Sequence, residues 1–297
     1  MSTAGTTPAL QRRGDSWHGS FRAMASPCEL LMDEPDENTA RRLLQAIAAE
    51  AWRIERKFSR YRDDNIVFRI NNSGGEPVSI DDETARMLQF ADALYDMSEG
   101  LFDITSGVLR EVWHFDGSDR LPSQQSIDAI LPRIGWHKTR LEAQCFTLPV
   151  GMQIDLGGIG KEYAVDRCVQ IASKHSAHSC LVNFGGDLRM SHPRSNDRHW
   201  AVGRLITGRD DAIGLFELKR GAIATSGDAN RYLLKDGKRY SHVLNPKTGW
   251  PVANAPHTVS VAAATCLEAG MLSTLAMLHG AQAEAFLQLQ QAPYWIN

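Results

Sequence analysis

Ile154-Asp-Leu-Gly-Gly-Ile-Gly-Lys-Glu-Tyr-Ala-Val-Asp166 is the stretch that organises the reading of this chain. A short apolar run enters a glycine turn, Gly157-Gly158-Ile159-Gly160. Beyond the turn Tyr163, Ala164, Cys168, Ile171 and Ala172 recur at helical spacing and predict one buried helix face. A strand that feeds a glycine turn and opens a helix is a way to hold a phosphate. Glycines let the backbone approach closely, and the free N–H groups of the helix start face the anion. Lys161 and two acids, Asp155 and Glu162, sit on this turn. That combination points to a phosphorylated cofactor meeting a metal.

The rest of the sequence sets bounds on that reading. The chain has 297 residues, 43% hydrophobic and 23% charged, ordinary values for a globular protein. A net charge of −3 argues against nucleic-acid binding, which needs a basic face. Five cysteines are scattered without a Cys-x-x-Cys pair and read as buried thiols of a reducing compartment. The first 15 residues are polar, and no apolar segment follows Arg12 and Arg13. The expectation is no signal peptide, no membrane insertion and a cytoplasmic protein. Residues 1–18 are expected to be a disordered tail and residues 19–297 a single domain.

Periodicity predicts a strand over 21–32 broken at Pro27, and helices over 38–58, 82–98 and 264–279. The second half is richer in strands, and Pro293-Tyr-Trp-Ile-Asn297 is expected to pack back on the domain. Strands and helices mix without a βαβ rhythm, which favours α+β over a doubly wound sheet. Five strand ends place Gly beside Asp, Thr, Ser, His or Lys. Polar, glycine-rich strand ends are where binding sites are built.

Eight motifs then fall in one order: Met24-Ala-Ser-Pro, Phe58-Ser-Arg-Tyr61, Gly100-Leu-Phe-Asp-Ile-Thr105, Asp155-Leu-Gly-Gly-Ile-Gly-Lys161, Asn183-Phe-Gly-Gly-Asp187, Thr225-Ser-Gly227, Ser241-His-Val-Leu-Asn-Pro-Lys-Thr-Gly249 and Leu272-Ser-Thr274. In these the chain resembles the ApbE family of FAD:protein FMN transferases over about residues 20 to 295. The resemblance implies a T-fold-like α+β protein, with mixed sheets and packed helices, that binds FAD and uses Mg2+. The reaction it implies moves FMN from FAD to a Ser or Thr of a target flavoprotein, forming a phosphoester and releasing AMP.

Residue by residue, Met24 and Tyr61 match family positions that contact flavin or adenine. Leu101, Phe102 and Asp103 match an adenosine-binding segment. Asp155 and Lys161 match cofactor contacts on the glycine turn, and Leu244 matches a further contact after the histidine. Splitting a pyrophosphate demands charge neutralisation, which a divalent metal and Lys161 would supply. His242, beside Ser241, is the expected general base toward the incoming hydroxyl.

The metal site departs from the pattern. The family places an aspartate four residues before a threonine on its last helix, so that both reach one ion. Here Thr274 is present, but Gly270 stands at the aspartate position. A third family contact, a backbone carbonyl, corresponds to Gly158. The family turn commonly reads Gly-Ile-Ala-Lys-Gly, whereas this one reads Gly158-Ile-Gly-Lys-Glu162. Mg2+ normally takes one or two carboxylates, so Glu162 is expected to supply the missing one; the alternative is that it merely caps its own helix. Two other functions remain open at this stage: an FAD-binding protein without transfer, and an FAD pyrophosphatase giving FMN and AMP.

Overall fold

Strands β1 (Ala9–Arg13), β2 (Ser16–Ala23) and β3 (Ser26–Met32) open the main sheet as an antiparallel meander. The computed structural model describes residues 7–33, 36–195, 198–205, 213–228 and 231–297. The tail expected through residue 18 is therefore sheet from residue 9 onward, with Leu10 opposite Gly19 and Arg13 opposite Ser16. Its polar composition hid it: β1 is an edge strand with mostly exposed side chains, so backbone pairing holds it and not an apolar face. Pro27 does not break a strand. It pairs with Arg22 next to a two-residue turn, Met24-Ala25, where the chain reverses.

Helix α1 (Glu37–Phe58) follows, capped by the Asp36 carboxylate, which accepts from the Thr39 N–H. Its stripe of Leu43, Leu44, Ile47, Ala48, Ala51 and Ile54 is fully buried, as the 3.6-residue spacing predicts. Each large aliphatic in that stripe contributes about 1.5–3 kcal/mol by leaving water. Next come α2 (Ile66–Asn71), β4 (Val78–Ser79), α3 (Asp82–Met97), a 3-10 helix at Ile104–Glu111 and α4 (Gln124–Ile130). Strands β5 (Arg140–Glu142) and β6 (Cys145–Thr147) join β4 in a small sheet.

The decisive stretch yields α5 (Gly160–His175), with Ala164, Cys168 and Ala172 buried on the expected face. The run before the turn is extended but forms no strand. The Asn71 side-chain amide takes both main-chain groups of Ile154, at 2.7 and 3.1 Å, where a neighbouring strand would otherwise pair.

The second half adds β7 (Cys180–Phe184), β8 (Asp187–Met190), β9 (Trp200–Leu205), β10 (Ile213–Leu218), β11 (Ala222–Gly227), β12 (Tyr232–Lys235), β13 (Lys238–Ser241) and β14 (Thr258–Ala263). Helices α6 (Cys266–Leu278) and α7 (Ala283–Gln290) and strand β15 (Tyr294–Ile296) close the chain. The C-terminal segment does pack back, pairing with β14.

Among the described residues the main sheet runs β1-β2-β3-β7-β8-β11-β14-β15, antiparallel throughout. Helices α1, α5 and α6 lie on one face. The β9–β10 hairpin covers part of the other, where Trp200, Phe216 and Leu218 meet Leu181, Leu188 and Ile223. The architecture is α+β. No helix among the described residues is long and apolar enough to cross a membrane.

Candidate active site

The glycine turn, the end of α1, two hairpin turns of the main sheet and the end of β11 converge on a cleft of about 1030 Å3. That size is at the upper end for small-molecule sites and suits a dinucleotide. Met24, Tyr61, Asp155, Lys161 and His242 all line it. One wall is apolar, with Leu188, Val202, Phe216 and Ile223.

The cleft's rim includes strained backbone. Met24 and Ala25 have φ of +50° and +57°, a conformation that costs a non-glycine residue free energy and persists only when held. The Glu55 carboxylate on α1 holds it by accepting from the Met24 N–H at 3.0 Å. Glu55→Ala is expected to raise the KM for a flavin nucleotide by about 10-fold, the worth of one hydrogen bond to a charged group, with little change in kcat. Steady-state kinetics check this, and Glu55→Gln, which keeps an acceptor, is expected to behave as wild type.

Asp155 is clamped in place. Its carboxylate accepts from Arg60 Nη1 at 2.9 Å and from the Gly157 N–H at 2.9 Å. Arg60 also donates to the Gly107 carbonyl at 3.0 Å. Gly107 is essential to this clamp, because a Cβ there would lie 2.5 Å from Asp155 Cβ and 2.6 Å from Arg60 Nη1. Gly107→Ala is expected to cost about 1–3 kcal/mol of stability through overpacking, seen as a lowered denaturation midpoint.

At the start of α5 the cap residue Ile159 offers no side-chain bond to the helix N–H groups. Gly160 and Lys161 line the cleft there; the Gly160 N–H is taken by the Leu156 carbonyl at 2.8 Å, so among the described residues the Lys161 N–H is the one this helix start presents to an anion. Lys161 Nζ lies 2.6 Å from Asp187 Oδ2. Burial alone would lower the lysine's pKa, but the charges of Asp187 and Glu162 and the hydrogen bond outweigh it and raise it. Lys161 is thus a fixed cation. Asp187 is itself fixed, since its other oxygen accepts from the Thr225 N–H at 3.1 Å.

His242 is held from the opposite side of the cleft. Its Nδ1 lies 3.0 Å from the Arg231 carbonyl. A carbonyl only accepts, so Nδ1 carries the proton and Nε2 keeps its lone pair. Burial first, then the Arg231 charge, lower the imidazole's pKa below its usual value, which leaves the ring neutral and basic at neutral pH.

Other residues singled out in the sequence lie behind the cleft wall. Phe102 is buried beneath the glycine turn, with its ring 3.3 Å from where a Gly158 Cβ would be. Leu101 packs against the main core beside it. Asp103 is buried, with one oxygen accepting from the Thr105 N–H and hydroxyl at 2.8 and 2.6 Å and the other from the Trp136 N–H at 3.0 Å. Leu244 packs in a satellite core with Trp113 and Trp250. These four support the turns that shape the cleft. Sequence reasoning missed Glu55, Arg60 and Asp187 as site residues, although Arg60 and Asp187 lie inside quoted motifs. Only the fold shows what their charges hold.

Residues 24–295 match the ApbE family. The chain belongs to the ApbE family. It is 30% identical over 247 residues to an FAD:protein FMN transferase of Salmonella typhimurium, covering 79% of this chain and 69% of that one. It is 27% identical over 234 residues to the enzyme of the same name from Vibrio cholerae, covering 76% and 70%. The crystal structure of an ApbE protein from Thermotoga maritima superposes with a TM-score of 0.86 at 32% identity, covering 95% of this chain and 94% of that one.

Glu162 on α5 and Gly270 on α6 pack directly against each other. A Cβ at Gly270 would lie 2.5 Å from Glu162 Cγ and 3.1 Å from its Oε1. Glu162 therefore fills the space above Gly270, on the α6 face that carries Thr274 one turn later. Its Oε2 is sealed from solvent and meets no hydrogen-bond donor among the described residues. Burial above all, then the charge of Asp187, push this carboxyl well above the usual carboxylate range, with Lys161 acting against them. The Gly158 carbonyl receives no main-chain hydrogen bond among the described residues. The Thr274 hydroxyl meets the Ser226 hydroxyl at 2.9 Å. An orphaned buried carboxylate oxygen is costly as it stands and is the donor type a hard cation selects, so these residues fit a divalent ion.

Proposed function

We propose that this chain is an FAD:protein FMN transferase that moves FMN from FAD onto a Ser or Thr hydroxyl of a target flavoprotein and releases AMP. The observation that carries the reading is the pairing, across one dinucleotide-sized cleft, of a neutral imidazole with a free Nε2 and a fixed lysine at the start of a helix. Bound at the corner of Gly158, Glu162 and Thr274, a divalent ion such as Mg2+ would neutralise pyrophosphate charge.

The protein's own groups account for the rest. Lys161, through its ammonium and its main-chain N–H, holds the pyrophosphate and stabilises the charge that builds on it. The apolar wall and Tyr61, stacked under the Arg110 guanidinium at 4.5 Å, suit the flat rings at the two ends of FAD. His242 Nε2 takes the proton of the target hydroxyl as its oxygen attacks the phosphorus on the FMN side. The bond from that phosphorus to the oxygen bridging to AMP breaks, and AMP leaves with that oxygen. The cysteines, none in a disulfide among the described residues, fit a reducing compartment and a cytoplasmic target.

Following AMP release in the presence of FAD and Mg2+, with and without an acceptor peptide containing a Ser/Thr-Gly-Ala-Thr type sequence, tests the reading. AMP that depends on the peptide supports transfer. AMP released equally fast without it would mean that water is the acceptor, and the protein a pyrophosphatase.

A further inference from the structure

We infer that the metal-binding carboxylate of this chain has moved from α6 to α5: Glu162 reaches the ion from the opposite side of the corner where an aspartate at position 270 would stand. The inference deepens the transferase reading and rests on it.

Three independent features carry it. The first is steric. Gly270 lies mid-helix in α6, where glycine costs about 0.5–1 kcal/mol relative to alanine. Its place is explained by Glu162, whose Cγ would sit 2.5 Å from any Cβ there. A side chain at 270 would force the Glu162 side chain out of its place, so the glycine at one position and the glutamate at the other go together.

The second is the state of the carboxylate. Lys161 Nζ makes its close contact with Asp187, and Glu162 Oε2 meets no hydrogen-bond donor among the described residues. The Glu162 carboxyl accepts from its own N–H in the first turn of α5, but a cap needs no second oxygen packed against another helix. This side chain lies on Gly270 of α6, with Oε2 sealed from solvent and without a hydrogen-bond partner among the described residues.

The third is position. Glu162 follows Gly158 by four residues, and Gly270 precedes Thr274 by four. The carboxylate thus sits one turn after the Gly158 carbonyl on its own segment and packs on α6 one turn before the Thr274 hydroxyl. Among the described residues no three His, Cys, Asp or Glu side chains converge as a metal cluster. Carbonyl, hydroxyl and one carboxylate is a ligand set for a hard, oxygen-seeking ion that keeps several waters.

Mn2+, used as a spectroscopic stand-in for Mg2+, tests this in the full-length chain with FAD present. Electron paramagnetic resonance reads free Mn2+, and flavin fluorescence reads FAD binding without any divalent ion. Glu162→Gln keeps size and shape and is expected to weaken Mn2+ binding by about 10- to 100-fold, the cost of losing the one charged ligand, with metal-free FAD binding unchanged. Gly270→Asp alone is expected to lower the melting temperature, because its side chain meets Glu162. The pair Glu162→Gly with Gly270→Asp is expected to recover Mn2+ affinity to within a few-fold of wild type. Unchanged Mn2+ affinity in Glu162→Gln overturns the inference. So does a folded, FAD-binding double variant that still fails to bind Mn2+. Failure of the transferase reading would look different: wild-type protein that does not quench flavin fluorescence, or that binds FAD and Mn2+ but labels no peptide.

Discussion

His242→Ala is expected to slow flavin transfer by about 100- to 10,000-fold, the range for loss of a general base, while FAD affinity stays within a few-fold. The separation follows from the geometry. His242 is tethered through Nδ1 to the Arg231 carbonyl, so its contribution is the free Nε2 and not a contact that holds the nucleotide. The pH dependence carries a sign. The base works only when unprotonated, so kcat rises with pH through the folded-state pKa of His242 and then levels off. Burial and the Arg231 charge place that pKa below the usual histidine value, so wild type is expected to be on its plateau at neutral pH. The acid limb is expected to vanish in the alanine variant. A limb that persists there with the same midpoint would assign it to another group.

Lys161→Met is expected to reduce kcat/KM by about 100- to 1,000-fold, as removal of a preorganised charge from a transition state does. It also leaves Asp187, only 2% exposed, as an uncompensated buried charge, which costs about 3–5 kcal/mol. Loss of activity in the single variant therefore mixes chemistry with stability. The double variant Lys161→Met with Asp187→Asn separates them: thermal stability is expected to return while activity stays low. Lys161→Arg is expected to rescue poorly, because a planar guanidinium does not fit where a compact ammonium meets Asp187 at 2.6 Å. Recovery of activity along with stability in the double variant would remove Lys161 from the chemistry.

Much of the site was legible because its parts are local in sequence. Glycines beside charged residues mark turns at strand ends, and α5 declares itself by the spacing of Ala164, Cys168 and Ala172. What stayed hidden depends on partners far apart in the chain. Asp103 carries a charge on a glycine-flanked turn and reads as a ligand, yet its oxygens are taken by Thr105 and by Trp136, 33 residues away. Glu55 looks like one more polar residue on α1 until the β2–β3 turn arrives beside it. Strand β1 has no apolar face to betray it, and Ile154 is apolar yet pairs with an asparagine side chain in place of a strand. The link between Glu162 and Gly270 was visible as two departures from one family pattern. Only the fold shows that they touch.

The most direct measurement of the central claim is the intact mass of an acceptor peptide after incubation with the purified protein, FAD and Mg2+. A gain of one FMN less one water, located on a Ser or Thr and matched mole for mole by AMP, is the predicted result. An unmodified peptide beside intact, protein-bound FAD would contradict it.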